Sequence, residues 1–114
     1  MAEEISKELR KKYIPMTETT YYTLLAVISA RHGYAIMQYV SELTKDRIKL
    51  GTGTLYTMIG RLTTDGLIIL IDNDSGKKIY QITKLGIQLL NIETTRLQAQ
   101  LANGTALLGG IKNE

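Results

Sequence analysis

Hydroxyl-bearing side chains and one guanidinium recur at helical spacing near the middle of the chain. This polar stripe consists of Thr54, Thr57, Arg61 and Thr64. Intervals of three, four and three residues place them on one face of an α-helix. Short hydroxyl side chains let a neighbouring surface approach the helix backbone closely, and hydroxyl and guanidinium groups hydrogen-bond to phosphates and base edges. The stripe therefore predicts a recognition helix, over residues 53–64, that inserts into a DNA major groove.

The opposite face of the same segment is apolar, and we expect it to be buried. Its members are Leu55, Met58, Ile59 and Leu62. Taken alone, threonine and arginine on a helix face are more often simply solvated. The interpretation as a recognition helix therefore depends on the elements that precede and follow it.

Three helical segments are predicted before residue 45. Residues 1–14 form a charged helix with only Ile5 and Leu9 as apolar anchors, so it should dock on the rest of the chain or fray. Pro15 ends this helix. A helix over 18–31 begins at Thr17, a typical N-cap, and another covers roughly 34–44. With the segment at 53–64, the short connections match a helix-turn-helix core.

The only histidine, His32, lies where the helix over 18–31 should end. Its neighbours Arg31 and Gly33 are typical of a helix C-terminus. We expect His32 to cap carbonyl groups there or to pack against the next helix. A catalytic role is disfavoured because general acid–base chemistry needs a positioned partner.

A β-hairpin should follow the recognition helix directly. Residues 67–71 are apolar and rich in isoleucine, residues 73–76 have turn chemistry, and residues 77–82 return with Lys77 and Lys78 at their start. Two strands alone are marginal, so they must pack on the helices. Residues 15–83 are therefore predicted to form a winged helix-turn-helix domain, with the hairpin as its basic wing.

A long helix over residues 84–108 is predicted after Thr83, which should cap it, and residues 109–114 are expected to be a flexible tail. Its apolar stripe follows a heptad-like pattern. One interpretation is a core helix packed within its own domain. We favour a homodimer, because the winged core is already complete and the stripe needs a partner. The expected interface residues are Ile87, Leu90, Leu97 and Leu101. Asn103–Gly104 lies on the stripe and could end the helix.

Composition narrows the possible functions. The chain of 114 residues has no cysteine, which excludes disulfides and thiol chemistry, and no cluster of residues has metal-ligand spacing. No apolar run is long enough to span a membrane, and the N-terminus is too polar for a secretory signal. We therefore expect a soluble cytoplasmic protein that is not an enzyme and binds no metal or cofactor. The net charge is +3, and residues 45–84 alone account for it, which permits nucleic-acid binding.

Four motifs in order resemble the PadR family of transcriptional regulators. They are His32-Gly33-Tyr34 with Ile36, Gly53-Thr54-Leu55-Tyr56, Arg61-Leu62 with Asp65-Gly66-Leu67-Ile68, and Tyr80 with Ile82-Thr83 and Gly86. The resemblance covers roughly residues 17–90 and is nearest to the small regulators that include multidrug-sensing repressors. It implies a mostly α-helical winged helix-turn-helix with a β-hairpin wing, a short N-terminal helix and a long C-terminal dimerisation helix. It also implies a small aromatic or phenolic inducer.

The chain departs from the family pattern at three places. Gly51-Thr52 stands where the family usually has Ser-Pro, although glycine is an acceptable N-cap. Gly60 replaces a common basic residue and costs a helix about 1 kcal/mol relative to alanine. Lys77-Lys78 keeps the charge of the wing but lacks the bidentate fork of arginine.

The expected partners are an inverted-repeat operator in double-stranded DNA, a second copy of the chain and a small hydrophobic ligand. The residues expected to contact DNA are Lys49, Thr52, Thr54, Tyr56, Thr57, Arg61, Lys77 and Lys78. The residues expected to line an effector site are Leu90, Thr94, Leu97, Leu101, Tyr13 and Met16. The alternative is a winged-helix module that binds proteins, or an architectural subunit, without an operator of its own.

Overall fold

The computed structural model describes residues 5–71 and 76–111. Five helices and three strands follow one another along the described chain. They are α1 (Lys7–Tyr13), α2 (Glu18–Ala26), β1 (Arg31–His32), α3 (Gly33–Leu43), α4 (Thr52–Thr64), β2 (Ile68–Ile71), β3 (Ile79–Ile82) and α5 (Lys84–Gly109). The predicted fold class is confirmed: helices predominate, two strands of a small antiparallel sheet follow α4, and a long helix ends the described chain.

The helical core forms because the apolar faces of α2, α3 and α4 meet. The fully buried side chains include Leu24, Ile36, Leu55 and Leu62. Thr17 caps α2 as predicted, since its side chain accepts a hydrogen bond from the Thr20 amide. Gly51 occupies the N-cap position of α4, and Asp65 ends that helix, followed by Gly66 with a positive φ of 77°. The predicted core helices are therefore present, with α4 in the expected place.

The sheet has three strands rather than the two of the predicted hairpin. Its order is β1-β3-β2, and β1 pairs with β3 through Arg31 opposite Tyr80 and His32 opposite Ile79. The predicted helix over 18–31 is correspondingly wrong at its C-terminal end, because α2 stops at Ala26 and Ile28 is half-exposed. The chain leaves the helix early because residues 31–32 supply the extra strand. The predicted turn at 73–76 falls largely outside the described residues.

Helix α1 docks on the domain through its C-terminal residue. Tyr13 is 3% exposed, and Ile5 and Leu9 pack against the same core. The following segment is also fixed, because the Met16 amide donates to Oε2 of Glu93 on α5 at 3.1 Å. The described part of the predicted N-terminal helix therefore docks on the domain, and it is helical only over Lys7–Tyr13.

Helix α5 is long and begins at a well-defined cap. The Thr83 side chain accepts a hydrogen bond from the Gly86 amide, as predicted, and its hydroxyl contacts the Gly66 and Leu67 carbonyls. A Cβ at Gly86 would clash with the Leu67 carbonyl oxygen, so glycine lets α5 lie close to the start of β2. The helix continues through Asn103–Gly104 to Gly109, so the suggested end at 103–104 is wrong.

Candidate nucleic-acid interface

The polar face of α4 is exposed, and most of its apolar face lies in the core; Met58, predicted to be buried, is instead half-buried and lines the exposed groove. Leu55, Ile59 and Leu62 are buried, whereas the predicted DNA-contacting residues of the helix remain accessible. Those residues are Thr52, Thr54, Tyr56, Thr57 and Arg61. A shallow groove of about 440 Å³ runs along this face between Gly53 and Arg61. Helix α4 therefore presents small hydroxyl groups and backbone to whatever lies against it.

Arg61 is held toward the N-terminal part of the chain. Its guanidinium lies 5.2 Å from the centre of the Tyr13 ring and donates a hydrogen bond of 3.3 Å to the Thr20 hydroxyl. Tyr13 in turn donates its phenolic hydrogen to Oδ2 of Asp65 at 2.5 Å. In this conformation Arg61 lies at the junction of α1, α2 and α4. A direct contact to a base would require the side chain to leave these partners.

The charges at that junction are balanced around Asp65. Lys12 forms an ion pair with the Asp65 carboxylate at 2.8 Å. The hydrogen bonds that Lys12 and Tyr13 donate to Asp65 lower the pKa of its carboxyl group. The pKa of Tyr13 is raised, mainly by burial and next by its hydrogen bond to Asp65. Asp65 is therefore ionised and Tyr13 protonated at neutral pH.

A second cleft, of about 490 Å³, joins the wing to α3 and α4. It brings together the wing lysines, the start of α3 and three tyrosines. The residues that line it are His32, Gly33, Tyr34, Tyr56, Gly76, Lys77, Lys78 and Tyr80. Burial raises the pKa of Tyr80, which leaves its hydroxyl protonated. The cleft combines two ammonium groups, phenolic hydroxyls and the amide end of a helix, which together can bind a phosphate.

His32 acts at the start of α3 rather than at the end of α2. Its Nδ1 accepts a hydrogen bond of 3.4 Å from the Ala35 amide, so it is an N-cap. The expectation that it caps the carbonyl groups of the preceding helix is wrong, because α2 has already ended at Ala26. Arg31 supplies that interaction instead, donating to the Ala26 carbonyl at 2.7 Å.

Lys49 is exposed in the segment that leads into α4, close in sequence to the recognition helix. Arg47, two residues earlier, is instead bound within the domain. Its guanidinium donates hydrogen bonds to both carboxylate oxygens of Glu18 and to the Tyr22 hydroxyl. One exposed residue of this surface and one buried residue beneath it were not predicted from sequence. Tyr34 is 61% exposed in the wing cleft, and Thr20 binds Arg61. Only the motif at 32–34 pointed toward Tyr34.

The residues predicted for the dimer and the effector divide into two groups along α5. Leu90 is 6% exposed and belongs to the core of its own domain, so it has little surface left for a partner. Thr94 shares a hydrogen bond of 2.7 Å with the Tyr21 hydroxyl, and Leu97 is half-buried. Ile87 and Leu101 are exposed, Leu101 by 70%. The distal half of α5 therefore presents apolar side chains that its own domain does not cover.

The other two residues predicted for the effector site are Tyr13, the last residue of α1, and Met16, in the segment between α1 and α2; they contact α4 and α5 respectively. Tyr13 is buried and contacts Asp65, whereas Met16 is half-buried and its amide is bonded to Glu93. Glu93 is 1% exposed, and Arg96 donates hydrogen bonds to both of its carboxylate oxygens. These interactions link the segment from Tyr13 to Met16 with both α4 and α5.

Residues 5–71 and 76–111 contain no group of three or more histidine, cysteine or carboxylate side chains that could hold a metal ion. In the same part of the chain, no helix combines the length and apolarity that crossing a membrane requires.

Comparison with known proteins identifies both the family and the fold. The sequence profile described as the transcriptional regulator PadR-like family matches residues 23–92. No curated protein shows significant similarity to the chain. Among solved structures, a PadR family transcriptional regulator from Eggerthella lenta superposes with a TM-score of 0.67 at 22% identity, covering 89% of this chain and 82% of that one.

Two further structures have the same fold. A transcriptional regulator from Clostridium thermocellum gives a TM-score of 0.60 at 20% identity and covers 96% of this chain and all of its own. PadR from Bacillus subtilis, solved in complex with operator DNA, gives a TM-score of 0.55 at 25% identity over 65% of this chain and 45% of that one.

Proposed function

This chain belongs to the PadR-like family of transcriptional regulators. We propose that it is a homodimeric, sequence-specific DNA-binding repressor, and that a small hydrophobic or aromatic ligand releases it from DNA. Helix α4 enters the major groove, and the hairpin of β2 and β3 contacts the sugar-phosphate backbone beside it. The chain acts without a metal or cofactor, in the cytoplasm.

The observation that carries the DNA-binding proposal is the combined surface of α4 and the wing. Thr54 and Thr57 are exposed on α4, while Tyr56 faces the cleft that Lys77 and Lys78 also line. Hydroxyl groups on a helix can read base edges, and lysines beside it can neutralise phosphates. A protein-binding groove would instead expose apolar anchors at its centre.

The dimer proposal is supported by the exposed apolar side chains at the distal end of α5. Leu101, Leu107, Leu108 and Ile111 are 63–77% exposed. Three of these large apolar residues lie on α5 and Ile111 follows it directly; exposing them is costly in water, and a second copy of the helix would cover such a surface. Two copies related by a twofold axis would also present two copies of α4, which matches an inverted-repeat site.

The ligand proposal is supported by the position of Thr94 and Leu97 between the buried and exposed halves of α5. Leu97 is only half-buried, and the Thr94 hydroxyl is bonded to Tyr21. A second α5 packed against this turn would enclose a cleft with apolar walls and a few hydroxyl groups, which suits a flat hydrophobic ligand. Met16 and Tyr13 connect the same region to α4 through Glu93 and Asp65.

The direct test is titration of the purified chain against a labelled duplex from the promoter of its own operon, followed by fluorescence anisotropy. We expect tighter binding to that duplex than to an unrelated one of equal length at about 0.15 M salt. Lys77→Ala/Lys78→Ala should weaken binding to both duplexes and flatten the salt dependence. Lys77→Arg/Lys78→Arg, which keeps the charge, is the matched control. Absence of binding to any duplex would favour the protein-interaction module instead.

A further inference from the structure

The wing cleft, which lies between the wing and the start of α3, contains a nearly buried hydroxyl group. Tyr80 of β3 lines this cleft, although the residue is only 6% exposed. Within residues 5–71 and 76–111, its hydroxyl forms no hydrogen bond. The hydroxyl is not fully enclosed, unlike that of Thr23 on α2, so it opens onto the cleft. A nearly buried donor that meets only a cleft indicates a ligand that brings an acceptor there.

Two further phenolic hydroxyl groups lie at the same cleft. Tyr34, the second residue of α3, is largely exposed, and Tyr56 of α4 is half-exposed. The Tyr56 ring lies against Gly33 at the start of α3, and Tyr56 is close enough to Tyr80 to raise the pKa of that residue, after the larger effect of burial. Hydrogen-bond donors from α3, α4 and β3 therefore converge on one volume of about 490 Å³.

The charge of the cleft is positive. Lys77 and Lys78 are exposed at its edge, and no carboxylate is found among the described residues that line it. The first amides of α3 have no acceptor within their own helix, and they add the positive end of the helix dipole. Two ammonium groups and several neutral donors around one opening fit the oxygens of a phosphate. A cationic or apolar ligand would leave these donors unpaired.

We propose that the wing cleft clamps a single phosphate of the DNA backbone, to which Tyr34, Tyr56 and Tyr80 donate hydrogen bonds while Lys77 and Lys78 neutralise its charge. This inference rests on the proposed DNA binding and adds Tyr34 and Tyr80 as contact residues. It places the backbone between the wing and α3 rather than over the outer surface of the wing. Hydrogen bonds to one phosphate would fix the register of α4 in the groove without reading base sequence.

The test removes one hydroxyl group from the cleft without removing a charge. Tyr34→Phe does so at an exposed position, so the fold should be unaffected. Tyr39→Phe is the matched control on the same helix, because Tyr39 is not among the residues that line the cleft. Phenylalanine there keeps the ring that stacks on the Arg31 guanidinium. Equal unfolding temperatures of the two variants and the wild type exclude a folding defect.

The probe is a fluorescein-labelled duplex of roughly 30 bp from the promoter of the chain's own operon, long enough for two half-sites. Dissociation constants are measured by anisotropy between about 50 and 200 mM salt. We expect Tyr34→Phe to weaken binding about three- to tenfold at every salt concentration, the usual contribution of one hydrogen bond. The salt slope should keep its wild-type value, because a neutral hydroxyl releases no counterion. Tyr39→Phe should match the wild type in both quantities.

A second arm identifies the phosphate. Single phosphates of the probe are replaced by uncharged methylphosphonates, one position at a time. We expect one position in each half-site at which the methylphosphonate weakens the wild type and Tyr34→Phe causes no further loss, because both changes remove the same contact.

Wild-type affinity for Tyr34→Phe, or an equal loss for Tyr39→Phe, would overturn the phosphate clamp while leaving the proposed function intact. A loss that no methylphosphonate position abolishes would also overturn it, because the hydroxyl would then not act on a backbone phosphate. Failure of the wild type itself to bind the duplex at low salt would overturn both the clamp and the proposed function. These failures are distinguishable in one titration series.

Discussion

The phenol ring of Tyr56 on α4 lies directly against the α-carbon of Gly33 at the start of α3. A methyl group added at Gly33 would come within 2.8 Å of Tyr56 Cζ and closer still to the hydroxyl oxygen. The contact joins two of the sequence motifs, one at residues 32–34 and the other at residues 53–56. It also sets one wall of the wing cleft, so the position of Tyr56 depends on the absence of a side chain at residue 33.

Gly33→Ala should therefore displace Tyr56 and reduce DNA affinity. Tyr56 is 48% exposed, so its ring can move outward at little cost in stability, but its shift changes the wing cleft. Urea denaturation measures the first effect, and anisotropy with a labelled duplex measures the second.

Gly60→Ala is the matched control, since a methyl group at residue 60 of α4 meets nothing within 4 Å. Alanine there should raise the free energy of unfolding by up to ~1 kcal/mol, because glycine is a poor helix former. If both substitutions have the same effect, the contact between Tyr56 and Gly33 does not set the conformation of this site.

Glu93→Gln should destabilise the fold by ~1–3 kcal/mol, the usual range for lost hydrogen bonds to a buried charged group. Glu93 is 1% exposed and accepts hydrogen bonds from the Met16 amide and the Arg96 guanidinium. Glu18→Gln is the control, because the pair of Glu18 with Arg47 is about half-exposed and should contribute little. The measurement is urea denaturation at neutral pH. Equal effects of the two substitutions would contradict a structural role for Glu93.

The free energy of unfolding should fall in acid because the Glu93 carboxylate becomes protonated. The hydrogen bonds from Arg96 lower the pKa of Glu93 below its ordinary value of 4.5. A carboxylate with a lowered pKa in the folded state contributes its full stabilisation above the pKa of the unfolded chain. That stabilisation is lost as the pH falls through the pKa of the group in the folded state. The pKa of Asp65 is also lowered, so its contribution is lost in acid in the same way. Thermal unfolding from pH 7 to pH 3 should show a smaller loss for Glu93→Gln than for the wild type. Identical pH profiles would mean that Glu93 does not contribute.

Leu101→Glu should convert the dimer to a monomer. Leu101 is 70% exposed on α5 and belongs to the predicted interface, so a carboxylate there would be buried without a partner in the dimer. Ala99→Glu introduces the same charge two residues away, on another face of the helix, and should leave the dimer intact. Sedimentation equilibrium at micromolar concentration distinguishes about twice 12.7 kDa from 12.7 kDa. A wild type that sediments as a monomer would contradict the dimer proposal.

Flat hydrophobic ligands should bind with micromolar or weaker dissociation constants, about 8 kcal/mol or less. The chain has no tryptophan or phenylalanine to stack on them, which limits the affinity. Calorimetry with cationic dyes and phenolic acids, repeated with Leu97→Ala, measures this directly. Binding heat that the substitution leaves unchanged would place the ligand elsewhere.

Local signals in the sequence predicted α4 and both of its ends. They also predicted its buried face at Leu55, Ile59 and Leu62, but Met58, predicted to be buried with them, is half-buried and lines the exposed groove. The helical spacing of the apolar residues predicted which face of α4 is buried. Thr17 and Thr83 correctly predicted where α2 and α5 begin. The pair β1 and β3 could not be predicted, because Arg31 and His32 become a strand only through pairing with Tyr80 and Ile79. Such pairing is set by tertiary structure, which also ended α2 five residues early.

Side-chain direction was the part of the candidate site that spacing could not predict. The polar stripe places Arg61 correctly on α4, but Tyr13 and Thr20, distant in sequence, determine where its guanidinium points. In the same way, the heptad pattern treats Leu90 and Leu101 as equivalent. Packing against the winged core buries Leu90 and leaves Leu101 exposed.

Selection of bound duplexes from a random-sequence DNA library, followed by sequencing, tests the central claim most directly. A homodimer with one α4 in each of two major grooves should enrich an inverted repeat whose half-site centres are one or two helical turns apart, in steps of ~10 bp. The wild-type chain should enrich that repeat, and Thr54→Val/Thr57→Val should weaken the enrichment because the hydroxyl groups are lost. Recovery of a library with no sequence preference would contradict the claim that this chain recognises an operator.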